Sequence, residues 1–285
     1  MATPKRSRVR RERPSPSAAW LETNRDSWNE RVPIHVASGF YDVDGFKAGR
    51  SVLRPYELKD VGSVRGKALV HLQCHFGIDT LAWAKRGARV VGVDFSAPAV
   101  AAATRLAAEM GVRAQFVVAN VYDASRVLRR QFDVVYTGRG ALCWLPDVRR
   151  WAAVVARLLR PGGLFYLTEF HPLEWVFAED SLEVKYDYFT PATGFVHTQS
   201  GSYADPAAPT THDETVQWNH GIGDVVTALL VAGLDIQLVR EHDTTDFRRW
   251  PFLVPAEQGT WRMPDGMHSL PLMYTIRAVK PRKPR

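Results

Sequence analysis

The chain is predicted to be α/β, with an open, doubly wound sheet of seven strands and helices on both faces. Three observations predict it. Short apolar runs rich in Val, Leu and Phe alternate with segments whose apolar residues recur at helical spacing. Gly or Pro closes most of those segments. The C-terminal third ends on a helix, a strand, a long insertion and a last strand.

The 285 residues, 46% hydrophobic and 11% aromatic, suffice for one large domain with elaborations. The expected plan is a disordered basic tail (1–17), an N-terminal segment over the site (18–63) and the sheet domain (64–280). Within that domain, insertions 173–214 and 244–271 form a cap, and a second basic tail (281–285) follows. Six basic side chains against Glu12 give residues 1–14 a net +5, and four more basic residues fall in 280–285. With the total at +7, the body carries about −2. The basicity therefore belongs to solvated ends, and a nucleic-acid partner is disfavoured. No apolar run reaches the roughly 18 residues that span a bilayer, so no membrane partner is expected. The N-terminus lacks the apolar core of a secretory signal. Cys74 and Cys143 are the only cysteines, which fits a cytoplasmic location.

Residues 18–31 are predicted helical, with Trp20, Leu21 and Trp28 as anchors, before an ordered loop rich in Gly and Asp. Trp28, His35 and Tyr41 either contact a ligand or only pack this segment onto the domain. Leu69–Leu72 reads as the first strand, Gln73–Gly77 as a tight turn, Ile78–Arg86 as a helix, and Val90–Val93 as a second strand ending at Asp94. Ser96 is a good N-cap for a helix that Gly111 ends. Ala114–Ala119 and Phe132–Tyr136 are the third and fourth strands. Asp147 caps a helix that Pro161-Gly162-Gly163 is expected to end, and Leu164–Thr168 is the fifth strand. Glu214–Trp218 reads as a short strand, Gly223–Ala232 as a helix, and Leu234–Val239 and Leu272–Ala278 as the sixth and seventh strands.

A strand, turn, helix, strand and closing acid is how such a sheet grips an adenosine-bearing cofactor. A pyrophosphate would need G-x-G-x-x-G in the first turn, and only Gly77 fits that pattern. A cofactor with adenosine but no phosphates tolerates the bulkier turn. That describes S-adenosyl-L-methionine. Over residues 64–280 the chain resembles the class I S-adenosylmethionine-dependent methyltransferases, whose sheet is Rossmann-like. The resemblance rests on VHLQCHFGIDTLA, VVGVDFS, FVVANVYD, FDVVYTGRGALCWL and LLRPGGLFYLTEFHP, in that order. One departure stands out: His71, Gln73 and His75 replace the usual acid and first two glycines.

The resemblance implies that Gln73 and Gly77 approach the methionine portion and that Asp94 takes the ribose hydroxyls. Phe95 would pack on the adenine with Ser96 close by, Asn120 and Val121 would meet its edge, and Thr137 and Gly138 would flank the sulfonium. Trp28 would add a cofactor contact from the N-terminal segment. Glu169 is the expected base or electrostatic partner, with His171 second; both could instead bond loop backbone. Tyr41, His197, Trp218, His220, Arg248, Arg249 and Trp250 are candidate substrate contacts. Adjacent Cys74 and His75 point apart along the backbone, so no metal site is expected.

The chain has neither the Asn/Asp-Pro-Pro-aromatic run nor the Pro-Cys pair of base methylases, which leaves a small-molecule acceptor. The chain as a whole is similar to bacterial secondary-metabolite methyltransferases, and its insertions are rich in tryptophan. They suggest a hydrophobic acceptor, with carbon methylation of an isoprenoid as one reading; Glu169 would be the base and aromatic faces would hold the cation. A prenyl diphosphate would draw on Arg248, Arg249 and Arg262, with Mg²⁺ as an aid. The alternatives are N- or O-methylation of another small molecule, or a cofactor-binding regulatory module. The aromatic N-terminal segment is also a candidate homodimer contact.

Overall fold

The computed structural model describes residues 16–282. The predicted basic tails fall mostly outside this range, but Pro16 and Ser17 already belong to helix α1 (Pro16–Ala37). That helix runs past the predicted end at Arg31, with Pro33 inside it. Two short helices, α2 (Val43–Lys47) and α3 (Pro55–Val61), replace part of the predicted loop.

The sheet domain then alternates as expected. It contains β1 (Ala68–Leu72), α4 (Ile78–Lys85), β2 (Arg89–Asp94), α5 (Ala97–Glu109), β3 (Ala114–Val118), α6 (Ala124–Leu128) and β4 (Phe132–Thr137). Next come α7 (Val148–Leu158) and β5 (Leu159–Phe170). After the first insertion follow α8 (Ile222–Val231), β8 (Asp235–His242) and, beyond the second insertion, β12 (Met273–Val279). The seven strands order as β3-β2-β1-β4-β5-β12-β8, with β12 antiparallel to both neighbours. The reversal of strand order at β1 and β4 opens a crevice beyond their C-terminal ends, where such sheets bind ligands.

Alternation along the strands explains the two-sided core. Val70, Leu72, Val91, Val93, Val135 and Phe165 point to the face covered by α7 and α8. Leu69, Val90, Val134, Tyr136 and Tyr166 point to the face holding α3, α4 and α5. One boundary differs from expectation. Pro161-Gly162-Gly163 does not end α7 but lies within β5, where Leu159 pairs Phe132 and Leu164 already pairs Val134. The three extra residues are accommodated as a protrusion on the strand.

Each insertion builds a small sheet of its own. The first pairs β6 (Phe195–Thr198) with β7 (Glu214–Gln217), which packs on α1. The second orders β10 (Val254–Pro255), β11 (Trp261–Arg262) and β9 (Thr244–Thr245). Trp250, Leu253, Met263 and Leu272 form a separate buried cluster beneath it. None of the described helices is long and apolar enough to cross a membrane.

Candidate functional site

A cavity of about 1740 Å³ opens at the C-terminal ends of β1, β2 and β4. Its floor is the turn after β1, the end of β2 at Asp94 and Phe95, the Asn120–Val121 segment and the loop from Gly138. Its roof comes from α1, the loop between α1 and α2, and both insertions, through Trp28, Tyr41, Tyr203 and Phe247.

The floor turn keeps a glycine-like backbone without the glycines. Gln73 (φ 56°) and His75 (φ 51°) are both left-handed, as is Gly77 (φ 81°). That geometry disfavours residues with a Cβ by roughly 1–2 kcal/mol each and persists only where surrounding contacts fix it. They do so here. Gln73 donates from Nε2 to the Ala141 carbonyl at 2.7 Å, tying the turn to the loop after β4. The His75 amide donates to Asp94 Oδ2 at 2.8 Å, and its ring meets His35 of α1 at 2.8 Å. At Gly77, a Cβ would lie 2.6 Å from the Phe116 ring.

Asp94 accepts from the His75 and Ser96 amides, the latter at 2.9 Å. Burial pushes its carboxyl up to about 6 although these amides pull it down. Each oxygen keeps lone-pair capacity for a ligand donor. Nearby, three buried polar atoms have no hydrogen-bond partner among the described residues: Gln73 Oε1, His71 Nε2 and Thr137 Oγ1. They cluster at the ends of β1 and β4, where a ligand carrying several polar groups would satisfy them.

A buried ionic cluster adjoins this floor. Arg139 pairs with Glu57 of α3, with Asp79 of α4 at 3.2 Å and with Asp246 of the second insertion. Arg54 also pairs with Asp246. Glu57 further accepts from Tyr136 Oη at 2.6 Å and from the Arg54 amide at 2.8 Å. Burial raises the Glu57 and Asp79 carboxyls against the pull of Arg139. Sequence reasoning missed this cluster; the one available signal was a lone arginine in the turn after β4.

Of the predicted cofactor contacts, Gln73, Gly77, Asp94, Phe95, Asn120, Val121, Gly138 and Trp28 line the cavity together. Asn120 also accepts from the Tyr122 amide at 3.0 Å. Ser96 and Thr137 are set back: Ser96 caps α5, and Thr137 is fully buried.

The predicted chemistry fares differently. Glu169 is buried, and both carboxylate oxygens are taken by backbone amides. Gly140 and Phe170 donate to Oε1, Ala141 and Leu142 to Oε2 at 2.8 and 2.9 Å. Of the two expected roles, these contacts match the backbone-bonding one: Glu169 anchors the loop that forms the floor. His171 likewise caps a short turn by accepting from the Leu173 amide and donates from Nε2 to Glu241 at 2.8 Å. Glu169→Ala is expected to cost about 3 kcal/mol, because several buried amides lose their acceptor. Urea unfolding would measure that loss. The shape of the pH–rate profile should stay unchanged, whereas removing a true base would erase one limb of it.

Among the substrate candidates, Tyr41, His197, Arg248 and Arg249 border the cavity, while Trp218, His220 and Trp250 do not. Trp218 is buried beside Trp20 and donates to the Ala192 carbonyl at 3.1 Å. His220 bonds the Leu145 carbonyl at 2.7 Å. Trp250 is fully buried and donates to the Ala178 carbonyl at 2.9 Å, because the second insertion needs a core of its own. The three arginines are engaged separately. Arg248 stacks over Trp261, Arg249 donates to the Phe177 carbonyl, and Arg262 pairs with Asp265. They present no joint phosphate clamp. What does converge is aromatic: Trp28 meets His75 at 5.1 Å and Trp144 at 5.3 Å, and the Tyr41 and Tyr203 hydroxyls are 2.5 Å apart.

Comparison with known proteins agrees with this fold. A family model described as "Methyltransferase domain" matches residues 70–165. The ubiquinone biosynthesis O-methyltransferase of Aeromonas salmonicida is 28% identical over 137 residues, covering 47% of this chain and 57% of that protein. The Cronobacter sakazakii protein of the same name is 31% identical over 138 residues, with 47% and 56% covered. The chain thus spans little more than half the length of the curated relatives it matches. Among solved structures, a Mesorhizobium loti S-adenosylmethionine dependent methyltransferase aligns with TM-score 0.53 and 19% identity, over 83% of this chain and 99% of that one. The magnesium protoporphyrin IX methyltransferase of Synechocystis aligns with TM-score 0.55 and 14% identity, over 93% and 100%. At these identities the likeness is one of fold.

Proposed function

We propose, from the match of residues 70–165 to the methyltransferase-domain model, that the chain is an S-adenosyl-L-methionine-dependent methyltransferase acting on a hydroxyl of a small, largely apolar molecule. The observation that carries the reading is Asp94, a buried carboxylate on the cavity wall at the end of β2 with lone pairs to spare. In this reading Asp94 holds the ribose hydroxyls, Phe95, Asn120 and Val121 border the adenine, and the unpartnered polar atoms of Gln73 and His71 face the amino-acid end. Bound there, the cofactor supplies a methyl group already activated on sulfur.

The chain's own residues then have two tasks: aligning the acceptor and excluding water. The roof of Trp28, Tyr41, Tyr203 and Phe247 suits both. A hydroxyl acceptor is preferred over an isoprenoid carbon because Glu169 is held by four amides and the three arginines do not converge. The curated relatives are named as O-methyltransferases, which supports the same choice. The two unpaired cysteines suit a cytoplasmic setting.

The test supplies methyl-labelled S-adenosylmethionine with phenols, alcohols, amines and prenyl compounds. Label should appear on oxygen. Label confined to carbon or nitrogen would overturn the hydroxyl assignment, and failure to bind S-adenosylhomocysteine would overturn the cofactor.

A further inference from the structure

Three side chains form a hydrogen-bonded chain that starts on the cavity wall at His75, passes behind it through His35 and returns to it at Ser202. His75, half-buried in the turn after β1, lies with Nε2 2.8 Å from Nδ1 of His35 on α1. Nε2 of His35 lies 2.6 Å from Ser202 Oγ in the loop between β6 and β7. His35 and Ser202 are buried, whereas Nδ1 of His75 has no hydrogen-bond partner among the described residues. Aromatic rings sheathe the pair. Trp28 stands edge-on to His75 at 5.1 Å and to His35 at 5.6 Å, and Tyr41 and Tyr203 pack on His35 at 5.3 and 4.8 Å. The Asp94 carboxylate meets only the backbone of His75.

We propose that His75 takes the proton of the acceptor hydroxyl and that His35 and Ser202 pass the charge on as a neutral relay. This rests on the hydroxyl-acceptor reading above. At rest, His75 is protonated on Nε2 and donates to His35 Nδ1, and His35 donates from Nε2 to Ser202 Oγ. His75 Nδ1 then offers its lone pair to the cavity. As the acceptor oxygen takes the methyl group, the old bond to sulfur leaves its electron pair on sulfur and the hydroxyl proton passes to Nδ1. The Nε2 proton of His75 moves to His35, that of His35 moves to Ser202, and Ser202 releases its own hydroxyl proton into the cavity, whose wall it also forms. One proton enters and one leaves, and both rings end neutral with their tautomers reversed. Exchange with water resets them after product leaves.

Burial favours such a relay. It holds His35 down at about 3, helped by Arg31 one turn earlier, and holds His75 well below its ordinary value. An isolated imidazolium would be costly at either position. A relay that never leaves one standing avoids that cost.

The test uses the full chain with nitrogen-labelled histidine, without acceptor. NMR should find His35 and His75 neutral and protonated on Nε2 at pH 7.5, with His75 losing that preference in His35→Asn. A cationic His75, or one protonated only on Nδ1, would overturn the relay. In turnover, His75→Asn, chosen because Asn tolerates a left-handed backbone, should lower kcat about 100-fold or more. S-adenosylmethionine is kept saturating for each variant, so a loss of cofactor affinity through the turn does not enter kcat. Ser202→Ala, a positioning change, should lower kcat roughly tenfold with KM unchanged. A His75→Asn enzyme with near-wild-type kcat would overturn the proposal. A wild-type chain that methylates only carbon would instead overturn the hydroxyl reading and with it the source of the proton. The tautomer measurement, which needs no acceptor, tells these two failures apart.

Discussion

Asp94→Ala is expected to weaken S-adenosylhomocysteine binding by about 100-fold or more, the largest loss of affinity from any single cavity side chain. Hydrogen bonds to a charged group contribute about 1.5–3 kcal/mol each, and the reading gives Asp94 two ribose hydroxyls. The carboxylate also orders the floor through the His75 and Ser96 amides, so alanine releases the turn as well. Asp94→Asn keeps the shape and should lose less. The affinity should depend on pH in a defined sense. Burial raises the carboxyl to about 6, above its unfolded value near 4, so ionising it works against folding by about 3 kcal/mol. That contribution to stability is intact below pH 4 and lost as pH rises through 6. Ligand hydroxyls donate to the ionised form and pull the other way. Affinity should therefore be flat above pH 7 and fall roughly tenfold per unit below about 6. Calorimetry from pH 5 to 8 measures both effects; a flat profile, or an alanine variant within threefold of wild type, would remove Asp94 from the cofactor site.

The sheet was legible because its information is local. Apolar runs, a Ser96 cap and a turn closed by Gly77 lie within a few residues of one another, and the end of β2 locates Asp94 without any tertiary knowledge. The roles of Glu169 and His171 were not local. Both stand at the strand edge as expected, but three of the four amides that claim Glu169 come from residues 140–142, and the partner of His171 is Glu241 on another strand. The insertions misled for a different reason. Trp250 and Trp218 look like pocket residues in a sequence, yet a loop of that length must first bury a core of its own. The turn after β1 was half legible. Its missing glycines were plain, but nothing in the sequence said that Gln73 and His75 would keep the left-handed backbone and spend their side chains on Ala141 and His35.

Arg139→Met should be the most destabilising substitution near the site, costing about 3–5 kcal/mol. The reason is what it leaves behind. Glu57 is fully buried, Asp79 and Asp246 lie close by, and Arg139 alone pairs with all three. Arg54 remains for Asp246, and Tyr136 still donates to Glu57, but neither pairs directly with Asp79, which keeps only the longer-range pull of Arg54. For a chain of this size the loss should lower Tm by roughly 6–15 °C. Its pH dependence identifies the cause. Burial already raises the Glu57 and Asp79 carboxyls, and removing the guanidinium raises them further. Groups raised on folding contribute stability that is complete at low pH and lost as pH rises, so the variant should lose less at pH 5 than at pH 8. Glu57→Gln added to Arg139→Met should recover part of the loss, since a buried amide costs less than an unpaired buried carboxylate. A pH-independent loss below about 1 kcal/mol would mean that water reaches the cluster and screens it. The floor of the cavity would then owe its shape to the Glu169 amide cradle and the Gln73 tie, with the ionic cluster serving only to seat the N-terminal segment and the second insertion.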